Sequence, residues 1–283
     1  MPLVSVVMLT HNKSPYTRKA LESLLPTSEV SLEVLVIDNG STDDTPELLR
    51  SLAGEFEARG HALRAHYNGS NVGCSTARNQ GLEMARGEYC AFMDNDVMAT
   101  TPLWAAGLID ALRQEPAAAI AGPKTIYPFP PHWIQCAGVG ISRSGRVQFR
   151  GRGRPRHAPE FCRRREVQCL ISECFLFPRS LYGRIGGLDE AFNPIEFEDF
   201  DFCYRARQAG GRCIYEPAVE MMHWESITSE GTPRLPNTYL IIKHGMLFKK
   251  RWRHVFEAED GPPDQECVWR PISVPGLEGP RTR

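Results

Sequence analysis

The feature that most constrains this chain is an alternation. Four short apolar runs, VSVVML (4–9), EVLVI (33–37), ALRAHY (62–67) and EYCAFM (88–93), are separated by Ser14–Leu25, Asp43–Arg59 and Ser75–Arg86, in which Leu, Ala and Met recur at helical spacing. Runs rich in β-branched and aromatic residues with little polar interruption suit strands covered on both faces. Strand and helix in turn predict an α/β fold with a parallel, doubly wound sheet. In such an open sheet, ligands sit beyond the carboxyl ends of the strands. The residues just past the four runs are polar every time: THN, DNGSTDDT, NGSNVG and DND.

After Pro116 the pattern changes. AAAIAG (117–122), IQCAGVGIS (134–142) and VQCLISECFLF (167–177) are strand candidates, helical signal returns at 197–209 and near 236–256, and residues from Gly261 onward read as an irregular tail. The Arg/Gly/Pro-rich stretch 143–165 is a poor helix or strand former and reads as a mobile loop. Its seven arginines between Arg150 and Arg165 fit either a solvated loop or a lid that closes on an anionic ligand.

Composition excludes several classes. No apolar run approaches the roughly 20 residues of a spanning helix, and Met1–Thr10 reads as a strand without a basic start or cleavage-type site. The chain is therefore expected in the cytoplasm, with peripheral contact at the inner face of a membrane as an alternative. KHGMLFKKRWRH (243–254) has the composition of an interfacial anchor, but Leu240, Leu247, Phe248 and Val255 form a stripe better suited to packing on the main domain. The net charge of −1 says nothing about a partner, but the arginine-rich stretch has only Phe149 and Phe161 near it and no recognised binding module, which argues against a nucleic-acid partner. Nine cysteines without a C-x-x-C pair read as reduced, mostly core residues.

Four stretches carry the chemistry. Asp94 and Asp96, two residues apart at a strand end, offer oxygen ligands for a hard divalent cation, Mn²⁺ or Mg²⁺, that also holds a diphosphate; Asn95 between them is a candidate donor contact. Asp38, ending the second strand before the cap residues Ser41–Asp43, can accept hydrogen bonds from a nucleoside. Gly73 before a helix and Arg78 one turn inside it suit a phosphate. In EFEDFDFCYRARQAG (196–210), Phe197, Phe200 and Tyr204 recur as a core-facing stripe, Asp201 and Arg205 pair at i, i+4, and Asp199 is left without an obvious structural partner. His223 closes a further strand signal in AVEMMHWES (218–226), where it is a structural residue or a ligand.

THN, VIDNGSTDDT, NVGCSTARNQG, MDND, GGLDEAF and FEDFDFCYRARQAG, in this order and at these intervals, resemble a family 2 glycosyltransferase with the GT-A fold, over most of residues 3–224. The resemblance implies that Thr10, Asn12 and Asp38 hold the nucleoside of a sugar nucleotide, a UDP-, dTDP- or GDP-sugar. It makes Asp96 the direct metal ligand with Asp94 nearer the ribose and metal, His223 an additional ligand, and Arg78 a basic residue close to the donor. Glu198 and Asp199 match the family's Glu-Asp pair, with Asp199 the catalytic base of an inverting displacement. The implied organisation is a transferase domain over 1–230, with a nucleotide-sugar-binding half (1–115) and an acceptor half (116–230), then a helical extension and tail over 231–283. The wording of the acceptor half is most like rhamnosyltransferase-like enzymes that extend bacterial surface polysaccharides. A glycan, a lipid-linked glycan or a small molecule all fit as acceptor, and oligomeric state is left open.

Two rival functions follow from the same residues. A sugar-phosphate nucleotidyltransferase also binds nucleotide and metal, but THNKSPY is not the Gly-rich basic loop of that class. A nucleotide-sugar-binding module without turnover would not need Asp94, Asp96 and Asp199 together.

Overall fold

A computed structural model describes residues 1–225 and 237–272. Ser226, position 236 and the tail past 272, all covered by the readings above, lie outside the described residues. The first third folds as β1 (Leu3–Thr10), α1 (Ser14–Leu24), β2 (Ser31–Asp38), α2 (Thr45–Ala58), β3 (Ala62–Tyr67), α3 (Cys74–Met84) and β4 (Tyr89–Asp94). The apolar spacing accounts for the helices: α2 starts with a proline in its first turn and buries Leu48, Leu49, Leu52 and Phe56 on one side. Each such side chain stabilises the fold by roughly 1.5–3 kcal/mol relative to leaving it in water.

The chain continues through β5 (Val97–Ala99), α4 (Trp104–Gln114), β6 (Ala118–Ile126), β7 (Ile134–Cys136), β8 (Val139–Ile141) and β9 (Val147–Phe149). It ends with β10 (Arg165–Val167), β11 (Cys174–Pro178), α5 (Arg179–Ile185), α6 (Glu198–Gln208), β12 (Arg212–His223) and α7 (Asn237–Phe256). One mixed sheet runs in the order β10-β12-β6-β11-β4-β1-β2-β3. Its β3-β2-β1-β4 part is parallel, whereas β11 lies antiparallel to both β4 and β6. The chain leaves β1 toward β2 and β3 and then returns to its other side with β4, so a crevice opens at the carboxyl ends of β1 and β4. Register puts the polar ends level: Thr10 pairs with Asp38, and Leu9 with Asp94.

The second half departs from the sequence reading in three places. IQCAGVGIS divides into β7 and β8, because β7 pairs with β6 while β8 pairs with β9 in a separate two-stranded sheet. VQCLISECFLF divides into β10 and β11 around a turn, since β10 pairs with β12 and β11 with β4. The stretch 143–165 is more ordered than a loop reading gives it: it contains β9 and a 3₁₀ turn at Pro159–Phe161, and Arg150, Arg152, Arg156 and Arg164 are held by partners, whereas Arg154, Arg163 and Arg165 are exposed. Arg152, 6% exposed, forks onto Glu225 at 2.7 and 2.9 Å and stacks 3.8 Å over the Trp269 ring. Arg150 donates to Ala137 O, Arg156 to Glu220 and Arg164 to Glu216. Paired guanidiniums packed on aromatic rings are framework, so the lid reading is withdrawn.

Helix α7 buries Leu240, Phe248, Trp252 and Phe256, with Leu247 and Val255 partly covered, as the stripe predicted. No helix among the described residues is long and apolar enough to cross a membrane. All nine cysteines are free, and six of them are buried.

Candidate active site

The loop after β1 is held by the loop after β2. Asn12, in the left-handed region at φ 59°, accepts from the Thr42 and Asp43 amides at 2.7 and 3.2 Å, and its own amide donates to Ser41 Oγ at 2.7 Å. Asp38, 2% exposed, accepts from the Ser41 amide at 2.8 Å. Thr10 and Asn95 are buried, and Asn95 donates to Thr10 Oγ1 at 3.2 Å and to Thr17 Oγ1 at 2.9 Å. These side chains shape the loop from beneath.

Gly73, at φ 90°, precedes α3, and a Cβ there would lie 2.4 Å from Asn193 Oδ1. The close approach has a use: the Cys74 amide donates to Pro194 O at 2.7 Å and the Ser75 amide to Asn193 Oδ1 at 3.0 Å. The helix N-terminus expected to seat a phosphate is thus occupied by the 193–194 loop of the acceptor half. Arg78 lies against Asp94, beside the carboxylates with which the resemblance groups it. It is 2% exposed, donates to Asp94 Oδ1 at 2.5 Å and to Ser172 O at 3.2 Å, and lies 3.5 Å from Glu198 Oε1. A guanidinium stays charged at any accessible pH, so Arg78 is a buried cation shared between carboxylates of the two halves.

Asp94, Asp96 and His223 come together from the ends of β4 and β12, with one ligand atom from each all within 4.8 Å. Two carboxylates and an imidazole form a donor set that fits Mn²⁺, and with fewer reservations about geometry than an all-oxygen Mg²⁺ cage would need. His223 Nε2 lies 3.2 Å from Asp96 Oδ1. Burial alone would lower the His223 pKa, but Asp96 and Glu173 outweigh it and raise it well above the usual imidazole range. Desolvation, only partly offset by Arg78 and reinforced by Asp96, raises Asp94. A bound divalent cation would reverse both effects by taking the place of the proton.

The four carboxylates of EFEDFD sort by partner. Asp201, fully buried, accepts from Arg205 at 2.8 Å, from Arg251 at 2.6 Å and from Trp252 Nε1 at 2.9 Å, which locks α6 to α7. Glu198 is 4% exposed and faces Arg78, with its Oε2 lacking a hydrogen-bond partner among the described residues. Asp199 accepts from the Ser172 amide at 3.1 Å, a partner invisible in the sequence. Burial first, then the Glu198 charge, raises Asp199 well above the ordinary carboxylate range. The same two causes push Glu196 up to about 7. Glu196 and Phe197 sit at φ 86° and 71°, a strained pair of non-glycine residues at the entry to α6. Phe197 and Phe200 pack edge to face, 5.5 Å apart, and both meet Phe248 of α7. Aromatic packing therefore desolvates the carboxylates and holds the strained turn.

Ser172 and Glu173, in the turn before β11, are the site residues the sequence reading missed. Ser172 joins Asp199 to Arg78, and the Glu173 carbonyl accepts from the Asp94 amide at 2.9 Å. The available signal was one polar pair inside the apolar run VQCLISECFLF.

Comparison with known proteins agrees with this geometry. The solved mannosyltransferase PcManGT from Pyrobaculum calidifontis, in complex with GDP-Man and Mn²⁺, superposes with a TM-score of 0.62 at 21% identity, covering 94% of this chain and 67% of that one. GalNAc-T7 with UDP, GalNAc and Mn²⁺ gives 0.65 at 17% identity, covering 91% and 51%. Both likenesses identify the GT-A fold. An uncharacterized protein, y4gI of Sinorhizobium fredii, is 30% identical over 263 residues, 89% of this chain but 28% of that protein's length. The N-acetylglucosaminyl-diphospho-decaprenol L-rhamnosyltransferase of Mycobacterium tuberculosis is 29% identical over 266 residues, covering 86% of this chain and 81% of that enzyme. The family model described as glycosyl transferase family 2 matches residues 5–186, and the chain belongs to that family.

Proposed function

We propose that the protein is a metal-dependent, inverting glycosyltransferase that moves a hexosyl or deoxyhexosyl group from a nucleoside-diphosphate sugar to an acceptor hydroxyl. The observation that carries this reading is Arg78, which joins Asp94 at 2.5 Å to Glu198 at 3.5 Å and so ties a donor-side carboxylate to the pair containing the base. Thr10, Asn12 and Asp38 form the floor for the nucleoside, and Asp94, Asp96 and His223 would hold the cation. When bound, Mn²⁺ or Mg²⁺ would supply positive charge to offset that of the departing diphosphate.

Asp199 accepts the proton of the acceptor hydroxyl as its oxygen attacks the anomeric carbon from the face opposite the diphosphate. The carbon–oxygen bond to the diphosphate breaks in the same step, and the electron pair leaves with it. The Ser172 amide fixes one Asp199 oxygen, and the raised proton affinity of the buried carboxylate suits a base working near neutral pH.

The rhamnosyltransferase relative supports a lipid-linked glycan acceptor and a role in polysaccharide assembly. Tyr239, Ile242 and Met246 lie exposed on one face of α7 beside Lys243 and Lys250, a composition suited to the surface of an anionic membrane, where such an acceptor resides. The test is thermal unfolding with UDP, dTDP and GDP, each with and without Mn²⁺, followed by donor hydrolysis. One nucleotide should raise the midpoint only with metal, by mass action, and slow hydrolysis of its sugar should vanish in Asp199→Ala. Binding without hydrolysis in the parent would instead favour a module lacking turnover, and no binding at all would sink the donor-site reading.

A further inference from the structure

A histidine holds a cation well only when one ring nitrogen keeps its hydrogen and the other presents a lone pair to the metal, and that choice is made by what the far nitrogen touches. We propose that Glu173 is the positioning residue that makes His223 a ligand: its carboxylate holds the hydrogen on Nδ1 and turns Nε2 toward Asp94 and Asp96. This rests on the reading of those three residues as a divalent-cation site.

Five strands converge on the contact. Cys174 pairs with Met93 across β11 and β4, which sets Glu173 beside Asp94, whose amide donates to the Glu173 carbonyl at 2.9 Å. The Glu173 side chain, in a residue 5% exposed, then crosses to β12, where Oε2 lies 2.7 Å from His223 Nδ1. Its other carboxylate oxygen accepts from Thr125 Oγ1 of β6. Gln135 of β7 places Oε1 2.7 Å from the same His223 nitrogen. Two acceptors on Nδ1 require that Nδ1 carry the hydrogen, and Nε2 is left as the atom facing Asp96. Glu173 thereby acts on two ligands of the trio, through its backbone on Asp94 and through its side chain on His223.

A merely structural ion pair would lower the stability of the fold without acting on metal affinity through His223. The distinguishing measurement is Mn²⁺ affinity, read from loss of the free Mn²⁺ electron paramagnetic resonance signal. It is made on the parent, Glu173→Gln, His223→Ala, the double variant and Asp96→Asn, with thermal midpoints recorded alongside. Glu173→Gln is expected to weaken Mn²⁺ roughly ten- to a hundredfold, and to change nothing further once His223 is alanine. Should Glu173→Gln fail to fold, Glu173→Asp keeps the charge but draws it back by one methylene, and the same loss, cancelled by His223→Ala, is expected. Parent-like affinity in the Glu173 variants, or an equal loss with and without His223, would overturn the positioning role while leaving the metal site standing. Failure of the parent to bind Mn²⁺, or undiminished binding by Asp96→Asn, would overturn the site reading and this inference with it.

Discussion

The two walls of the cleft, one at the ends of β1, β2 and β4 and one at the start of α6, are built on different principles. At the first, the parallel strands deliver Thr10, Asp38 and Asp94 to one edge through register, and neighbouring loops hold each other by side-chain-to-amide bonds. At the second, Asp199 depends on two left-handed non-glycine residues, on α7 packed behind α6, and on Ser172 from the turn before β11. The first takes its strand ends from a regular sheet, and its only left-handed non-glycine residues among those described, Asn12 and Lys13, lie in the loop past β1. The second is a carboxylate kept buried, raised in pKa and strained at its approach, at a cost of about 1–3 kcal/mol per strained residue. Residues at strand ends can be placed by a regular scaffold, whereas a carboxylate of raised proton affinity needs an environment assembled from distant parts.

The sharpest test of that contrast is Asp199→Asn. The rate should fall on the order of 10²- to 10⁴-fold, while the metal-dependent thermal shift by nucleotide survives, separating chemistry from donor binding. In the parent the rate should rise with pH through a midpoint well above the ordinary 3.8 of an aspartate, because the base must be deprotonated and burial raises it. A midpoint near 4 would show that Asp199 is solvated in the working enzyme.

Arg78→Met attacks the link between the two sides. Removing a buried cation leaves Asp94 and Glu198 uncompensated, and a loss of about 3 kcal/mol or more in unfolding free energy is expected in urea titrations. Arg78→Lys should recover part of that stability but not the forked geometry.

Glu196→Gln probes the strained turn through pH. The folded pKa of Glu196, about 7, lies above its ordinary 4.5, so the fold favours the protonated form. The stability it contributes is complete below pH 4.5 and is lost as pH rises through 7. Urea midpoints of the parent should therefore decline between pH 5 and 8 more steeply than those of Glu196→Gln.

The smallest effect is expected on the donor side's surface. Arg50 and Glu47 pair at 2.6 Å with both side chains more than half exposed, and Arg50→Ala should change stability by no more than about 0.5 kcal/mol.

Much of this molecule was legible in advance, unevenly so. The strands and helices of the first third stand where periodicity placed them, because apolar spacing is local to each element, even though β4 pairs with β1 and β11 and not with its sequence neighbour. Asp201–Arg205 and the α7 stripe followed from helical spacing for the same reason. The second half was misread wherever a segment serves two partners, as when VQCLISECFLF gives β10 to β12 and β11 to β4. The α3 amides and Arg78 were read for a phosphate on local geometry, and each also meets a partner far along the chain, Asn193 at 118 residues and Ser172 at 94, while Arg78 keeps its bond to Asp94.

By itself the sequence determined which residue types stand at the strand ends and which helices cover the sheet, since both depend on the order of apolar and polar side chains along the chain. Only the tertiary structure decided which carboxylate is a structural anchor, which is raised in proton affinity and which histidine nitrogen faces the cluster. Those outcomes depend on burial and on partners brought from other strands, and neither is a property of local sequence.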